Sequence, residues 1–141
     1  MSEGIRMHRF PAVFVAIVGC AFFSHVALSA PSQADKKAVS KIVERSGQNL
    51  GGLIECDRQD LHAEYLTSLR DALSVYPGLD STKVRALIRQ IERQGEVIGS
   101  LGIKGIATPT DEDLERQKRV CVWQVGDAKR DIRVLDNFIL K

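Results

Sequence analysis

The sequence predicts an all-α protein: a small bundle of three long or four shorter helices closed by one disulfide. Three observations carry that prediction. Apolar residues recur at spacings of three and four along almost all of the chain after residue 34, and strand-like alternation of useful length is absent outside the leader. Turn and capping residues fall between these stripes, at Pro77-Gly78 and from Gly99 to Thr110. Cys56 and Cys121 are the only cysteines outside an export-type leader. With 141 residues, 44% hydrophobic and 27% charged, the composition fits one ordinary globular domain, expected over residues 35–141.

The leader occupies residues 1–34. Arg6, His8 and Arg9 precede an apolar run from Phe10 to Leu28, broken only by Ser24 and His25, and small residues follow at Ser29, Ala30, Ser32 and Ala34. This is the three-part plan of a secretory signal peptide, with a cut after Ser29 or after Ala34. The protein is therefore expected in the periplasm. Two alternatives keep it on a membrane. The run is 19 residues long, close to a membrane span, so an uncleaved leader would anchor it. Ile17-Val18-Gly19-Cys20 also matches a lipobox, which would lipidate Cys20, although Ala21-Phe22-Phe23 continues the apolar run where a lipoprotein turns polar.

Export places the thiols in an oxidising compartment, so Cys56 and Cys121 are expected to pair. Closing so long a loop stabilises the fold by about 4 kcal/mol in the chain-entropy estimate.

The first helix runs from Asp35, with Val39, Ile42, Val43, Leu50, Leu53 and Ile54 inward and Lys36, Lys37, Lys41, Glu44 and Arg45 outward. Gly47, Gly51 and Gly52 predict a bend or break near Leu50, and Gly47 and Gly51, four apart, also permit close approach of another helix. Asp57 and Asp60 open the second helix, whose stripe is Leu61, Tyr65, Leu66, Leu69 and Leu73; Pro77-Gly78 ends it. Asp80 or Ser81 caps the third, with Val84, Leu87, Ile88 and Ile91 inward and fraying at Gly95, Gly99 or Gly102. Thr108-Pro109 or Thr110 opens the last helix. Its acidic start, Asp111, Glu112, Asp113 and Glu115, complements the helix dipole, and lacks the alternating ligands and glycine of a calcium loop. Leu114, Cys121, Val125, Ala128, Ile132, Leu135 and Ile139 form its stripe, which Val120, Trp123, Val134 and Phe138 widen; Gly126-Asp127 is a point for a bend.

No enzymatic chemistry is expected. His62 is the only histidine after the leader, and Asp60 and Glu64 beside it point elsewhere on a helix. Lys104 sits among glycines without the G-K-[ST] of a phosphate loop. No cofactor or metal follows from any spacing. From Asp35 onward 18 basic residues face 17 acidic ones, and aromatics are sparse, so nucleic acid is not an expected partner. The expected partner is a protein, and a membrane only if the leader stays or Cys20 is lipidated. Candidate partner-facing residues are Arg85, Arg89 and Arg93, aligned one turn apart, together with Trp123 and Phe138 on the broad last helix. The bland reading of the arginines is a solvated face offset by Glu92 and Glu96.

Gly105-Ile106-Ala107-Thr108, a threonine-capped helix, and Cys121 paired to a cysteine on an earlier helix together resemble the periplasmic acid-resistance chaperones, small exported all-helical proteins with one disulfide. The resemblance covers Gly105 to Cys121, and the cysteines lie further apart here than in that family. The sequence thus predicts a non-enzymatic, exported protein of interaction type. The alternative is an acid-stress chaperone that exposes apolar surface when Asp111, Glu112, Asp113 and Glu115 are protonated.

Overall fold

The computed structural model describes residues 30–141. The leader's apolar run, the cut after Ser29 and the lipidation of Cys20 fall on residues 1–29, outside the described residues. Four helices follow: α1 (Gln33–Glu55), α2 (Gln59–Ser74), α3 (Ser81–Leu101) and α4 (Asp111–Ile139), with a 3-10 turn at Ile103–Gly105 before α4. The described residues contain no strand, and Cys56 is bonded to Cys121 with an S–S distance of 2.01 Å. The chain builds the expected disulfide-closed bundle in its four-helix form.

The helix starts are set by side chains. Ser32 and Asp35 form a capping box on α1: the Ser32 hydroxyl accepts from the Asp35 N–H at 3.2 Å, and the Asp35 carboxylate accepts from the Ser32 N–H at 3.0 Å. The helix therefore begins two residues before the Asp35 boundary suggested by the apolar stripe. Thr110 and Asp113 repeat the box on α4, at 3.2 and 3.0 Å. Asp80 caps α3 by accepting from Thr82 and Lys83 N–H, both at 2.9 Å. At α2 the expected aspartate cap is replaced by Arg58, which makes no side-chain cap bond. Asp57 instead takes the turn itself, at φ 55°, and Asp60 accepts a forked pair of bonds from Arg58.

Residue numbers rise together along α1 and α3, with Gly47 against Gln94, Gly51 against Ile98 and Ile54 against Gly99, so these helices are parallel; they are the closest pair. Along α1 and α4 the numbers run oppositely, from Cys56 with Cys121 to Asp35 with Lys141. α2 lies parallel to α4, with Tyr65 near Asp131 and Tyr76 stacked on Phe138. Helix α1 touches all three others and supplies Val39, Ile42, Leu50 and Leu53 to the core.

The break expected near Leu50 does not occur, because the glycines form a seam. A β-carbon on Gly51 would lie 2.6 Å from Ile98 Cγ2 and 3.0 Å from the Gly95 carbonyl oxygen. One on Gly95 would lie 2.8 Å from Leu50 Cβ, and one on Gly99 2.8 Å from Ile54 Cγ2. Each glycine makes room for a side chain or backbone of the other helix, and the close contact offsets the helix propensity the glycines lack. For the same reason α3 does not fray at Gly95 or Gly99 and runs to Leu101, with Gly102 as its C-cap.

Helix α4 is packed unequally. Its buried residues, Ala128, Asp131, Ile132, Leu135 and Phe138, all lie in its second half. From Asp111 to Asp127 no residue is fully buried. That half is held by the disulfide and by a 3.2 Å bond from Gln117 Nε2 to the Glu55 carbonyl oxygen. The Gln124 side chain also fills the space beside Gly52.

The seam separates two otherwise similar substitutions. Gly51→Ala should destabilise the fold by about 1–3 kcal/mol through overpacking, despite better helix propensity. Gly126→Ala, with nothing within 4 Å of its added carbon, should stabilise it by up to about 1 kcal/mol. Urea unfolding of both checks the account; equal effects would remove the seam from it.

Candidate functional site

A cluster of polar side chains sits inside the bundle where α1, α2 and α4 meet. At its centre is Asp131, 0% exposed. Arg45 on α1 donates from Nε to Asp131 Oδ2 at 2.9 Å and from Nη2 to Oδ1. Asn49, one turn further along α1, donates from Nδ2 to Asp131 Oδ2 at 2.8 Å and to the Tyr65 hydroxyl at 3.2 Å. The Tyr65 hydroxyl donates to Asp131 Oδ2 at 3.4 Å and lies 3.3 Å from Ser46 Oγ, and Ser46 donates to the Ile42 carbonyl oxygen at 2.7 Å. No buried side-chain polar atom among the described residues lacks a partner.

The electrostatics follow from this geometry. Burial pushes the Tyr65 phenol up to about 12, against the opposing pull of its bonds to Ser46 and Asn49, so it remains a neutral donor. The hydrogen bond to Asp131 raises the Arg45 guanidinium further, and burial only partly opposes it. The Asp131 carboxylate accepts from three residues on two helices, and the cluster's bonds are directed at one another. Its chemistry is that of a fastening between helices.

Sequence periodicity placed Arg45 on the outer face of the first helix; its guanidinium instead reaches in to Asp131, leaving its side chain 47% exposed. Asp131 itself was passed over, although it stands among Ala128, Ile132 and Leu135 on the inner stripe. Ser46 and Asn49 interrupt the stripe of α1 in the same way. A polar residue on an apolar face was the available signal in each case.

The residues predicted to face a partner are divided by the fold. Arg85 and Arg89 line a groove between α2 and α3, together with Arg70. Arg93 leaves that line and joins Glu44, Gln48 and Gln94 in a different groove, between α1 and α3. Trp123 is 75% exposed, and Val122 beside it is equally open. Phe138 is not a surface residue: it is 3% exposed and stacks on Tyr76 at 5.9 Å, because the lower half of α4 turns toward α2. His62 is half-buried on α2; burial lowers its imidazole, while Glu92 and Glu96 of α3 pull it back up.

Removing one member of the buried pair should cost more than neutralising it. Asp131→Ala strips Asn49 and Tyr65 of their acceptor and should destabilise the fold by about 3 kcal/mol, the low end for buried pairs because Arg45 can rehydrate. Asp131→Asn keeps the shape and one acceptor oxygen and should cost roughly 1–2 kcal/mol. Chemical denaturation orders the two, and an inert Asp131→Ala would contradict the fastening role.

No protein-family model, curated protein or solved structure matches this chain, so its functional reading rests on its own residues.

Proposed function

We propose that this is a small exported protein of the periplasm that acts by binding another protein and catalyses no reaction. The observation that carries the reading is the first half of α4, which buries no side chain completely yet presents Trp123 and Val122 to solvent. Exposed tryptophan on a firmly held helix is the kind of anchor on which protein interfaces concentrate their binding energy. The disulfide supports the same reading, since it holds this helix half in place where packing does not.

The capping box supports one cleavage site over the other. A cut after Ser29 leaves Ser32 to cap α1, whereas a cut after Ala34 removes the cap and the first two residues of the helix. We take the mature chain to begin at Ala30.

The acid-stress chaperone remains the second reading, favoured by the carboxylates that cap and pair within the same half of α4. The Thr110 hydroxyl holds Asp113 below the ordinary carboxylate range, and Lys118 does the same for Glu115. At the other end of the bundle, Lys141 first and Ser32 second lower Asp35 to about 2. Lowered folded-state values mean that this stabilisation is complete above about pH 4 and is lost as pH falls through the folded values.

Native mass spectrometry of the protein from its own periplasm tests the first reading. It should show a disulfide-closed chain starting at Ala30 and carrying a second protein, which Trp123→Ala releases. A bare monomer or homodimer would overturn the binding reading, and lipid on Cys20 would move the protein to a membrane. Acid titration with an apolar dye separates the second reading. A binding module should stay dark until the helices melt, with Asp35→Asn reducing the loss of stability between about pH 4 and pH 2. A chaperone should bind dye below about pH 4 with its helicity retained.

A further inference from the structure

The strip between α2 and α3 carries three arginines that close no ion pair among the described residues. Arg70 on α2 and Arg85 and Arg89 on α3 border an open groove of about 290 Å³, floored by Val84 and Ile88, with Glu92 at one end. All three arginines are exposed, and among the described residues none of them is in an ion pair. Arg85 makes a 3.5 Å contact with the Thr82 hydroxyl and, without closing an ion pair, helps the Lys83 N–H to lower the Asp80 carboxylate. Elsewhere Arg45, Arg58, Arg116 and Arg130 each meet a carboxylate, while Arg93, Arg119 and Arg133 form no ion pair among the described residues. Glu92, spaced to neutralise Arg89, forms no ion pair with it and acts on His62 across the helix pair.

We propose that this groove docks an acidic helical segment of a partner protein, lying between α2 and α3 as a fifth helix. Arg85 and Arg89 stand one turn apart, with β-carbons about 6 Å apart. Carboxylates one turn apart on a docked helix have the same separation. Each guanidinium presents a planar fork that matches a carboxylate with two parallel bonds, and Arg70 receives a third from the opposite wall. An apolar side chain of the segment covers Val84 and Ile88. A membrane surface fits less well, because the floor is recessed, at 4% exposure for both residues, and offers nothing to insert among lipid chains. The most exposed large apolar side chains, Leu101, Val122, Trp123 and Leu140, are at the end of α3 and on or just after α4, and none of them lines this groove. The groove is lined from α2 and α3 and Trp123 is on α4, so either proposal can fail alone.

The test uses the disulfide-closed protein and a fluorescein-labelled helical peptide with glutamates one turn apart and leucines between them, beside a twin carrying glutamine for glutamate. The glutamate peptide should bind on the order of tenfold or more tightly than its twin, and the Arg85→Glu, Arg89→Glu double variant should lose affinity by a similar factor. Lysine at both positions, which keeps charge and loses the fork, should fall between. Equal binding of the twins, or full affinity in the double glutamate variant, would overturn the proposal. So would arginine-dependent sedimentation with phosphatidylglycerol vesicles in the absence of peptide binding, which would make the partner a membrane. If the double variant fails to fold, the comparison of twins on the unaltered protein still decides.

Discussion

The buried carboxylate of Asp131 is the constraint on which the arrangement of three helices depends. An aspartate with no exposure is tolerable only if its oxygens are bonded, and here the donors come from two turns of α1 and one position on α2. Leu and Ile stripes tolerate a shift of one helical turn with modest loss, since apolar contact is not directional. A carboxylate that must meet a guanidinium, an amide and a phenol tolerates no such shift. The cluster therefore acts as a register pin as well as a source of stability.

The remaining helix is attached by different physics. α3 meets α1 across facing glycines, where close approach of backbone and dispersion replace directional bonds. α4 is attached twice, by Asp131 and the core in its second half and by a covalent bond in its first. Between these points it has Gly126, with no neighbouring atom that calls for a glycine. The result is a helix half whose position is fixed without its surface being consumed, which leaves Trp123 and Val122 available to solvent.

Much of this was legible because it is local. The stops at Pro77-Gly78 and Gly102, the caps at Asp80 and Thr110, and the stripe of α2 depend on residues within a turn or two of each other. The disulfide was legible because only two cysteines follow the apolar N-terminal run. What escaped depends on partners distant in the chain. Glycines at 47 and 51 read equally as a weakness or as a seam until α3 brings Gly95 and Gly99 to face them. Arg45 looks like a solvent residue until α4 places Asp131 opposite, 86 positions away. Phe138 sits on a helix broad enough to be apolar on several sides, and only Tyr76 decides which side is inward. The arginine line on α3 is one ridge in sequence, yet the twist of the bundle sends Arg85 and Arg89 to one groove and Arg93 to another.

Amide hydrogen exchange on the oxidised and reduced protein tests most directly the claim that α4 is held at two independent points. Reduction should leave the bundle folded and keep slow exchange from Ala128 to Phe138, where the Asp131 cluster and the core persist, while amides from Leu114 to about Val125 exchange far faster. Uniform loss of protection along the whole helix, or no change in its first half, would contradict the account.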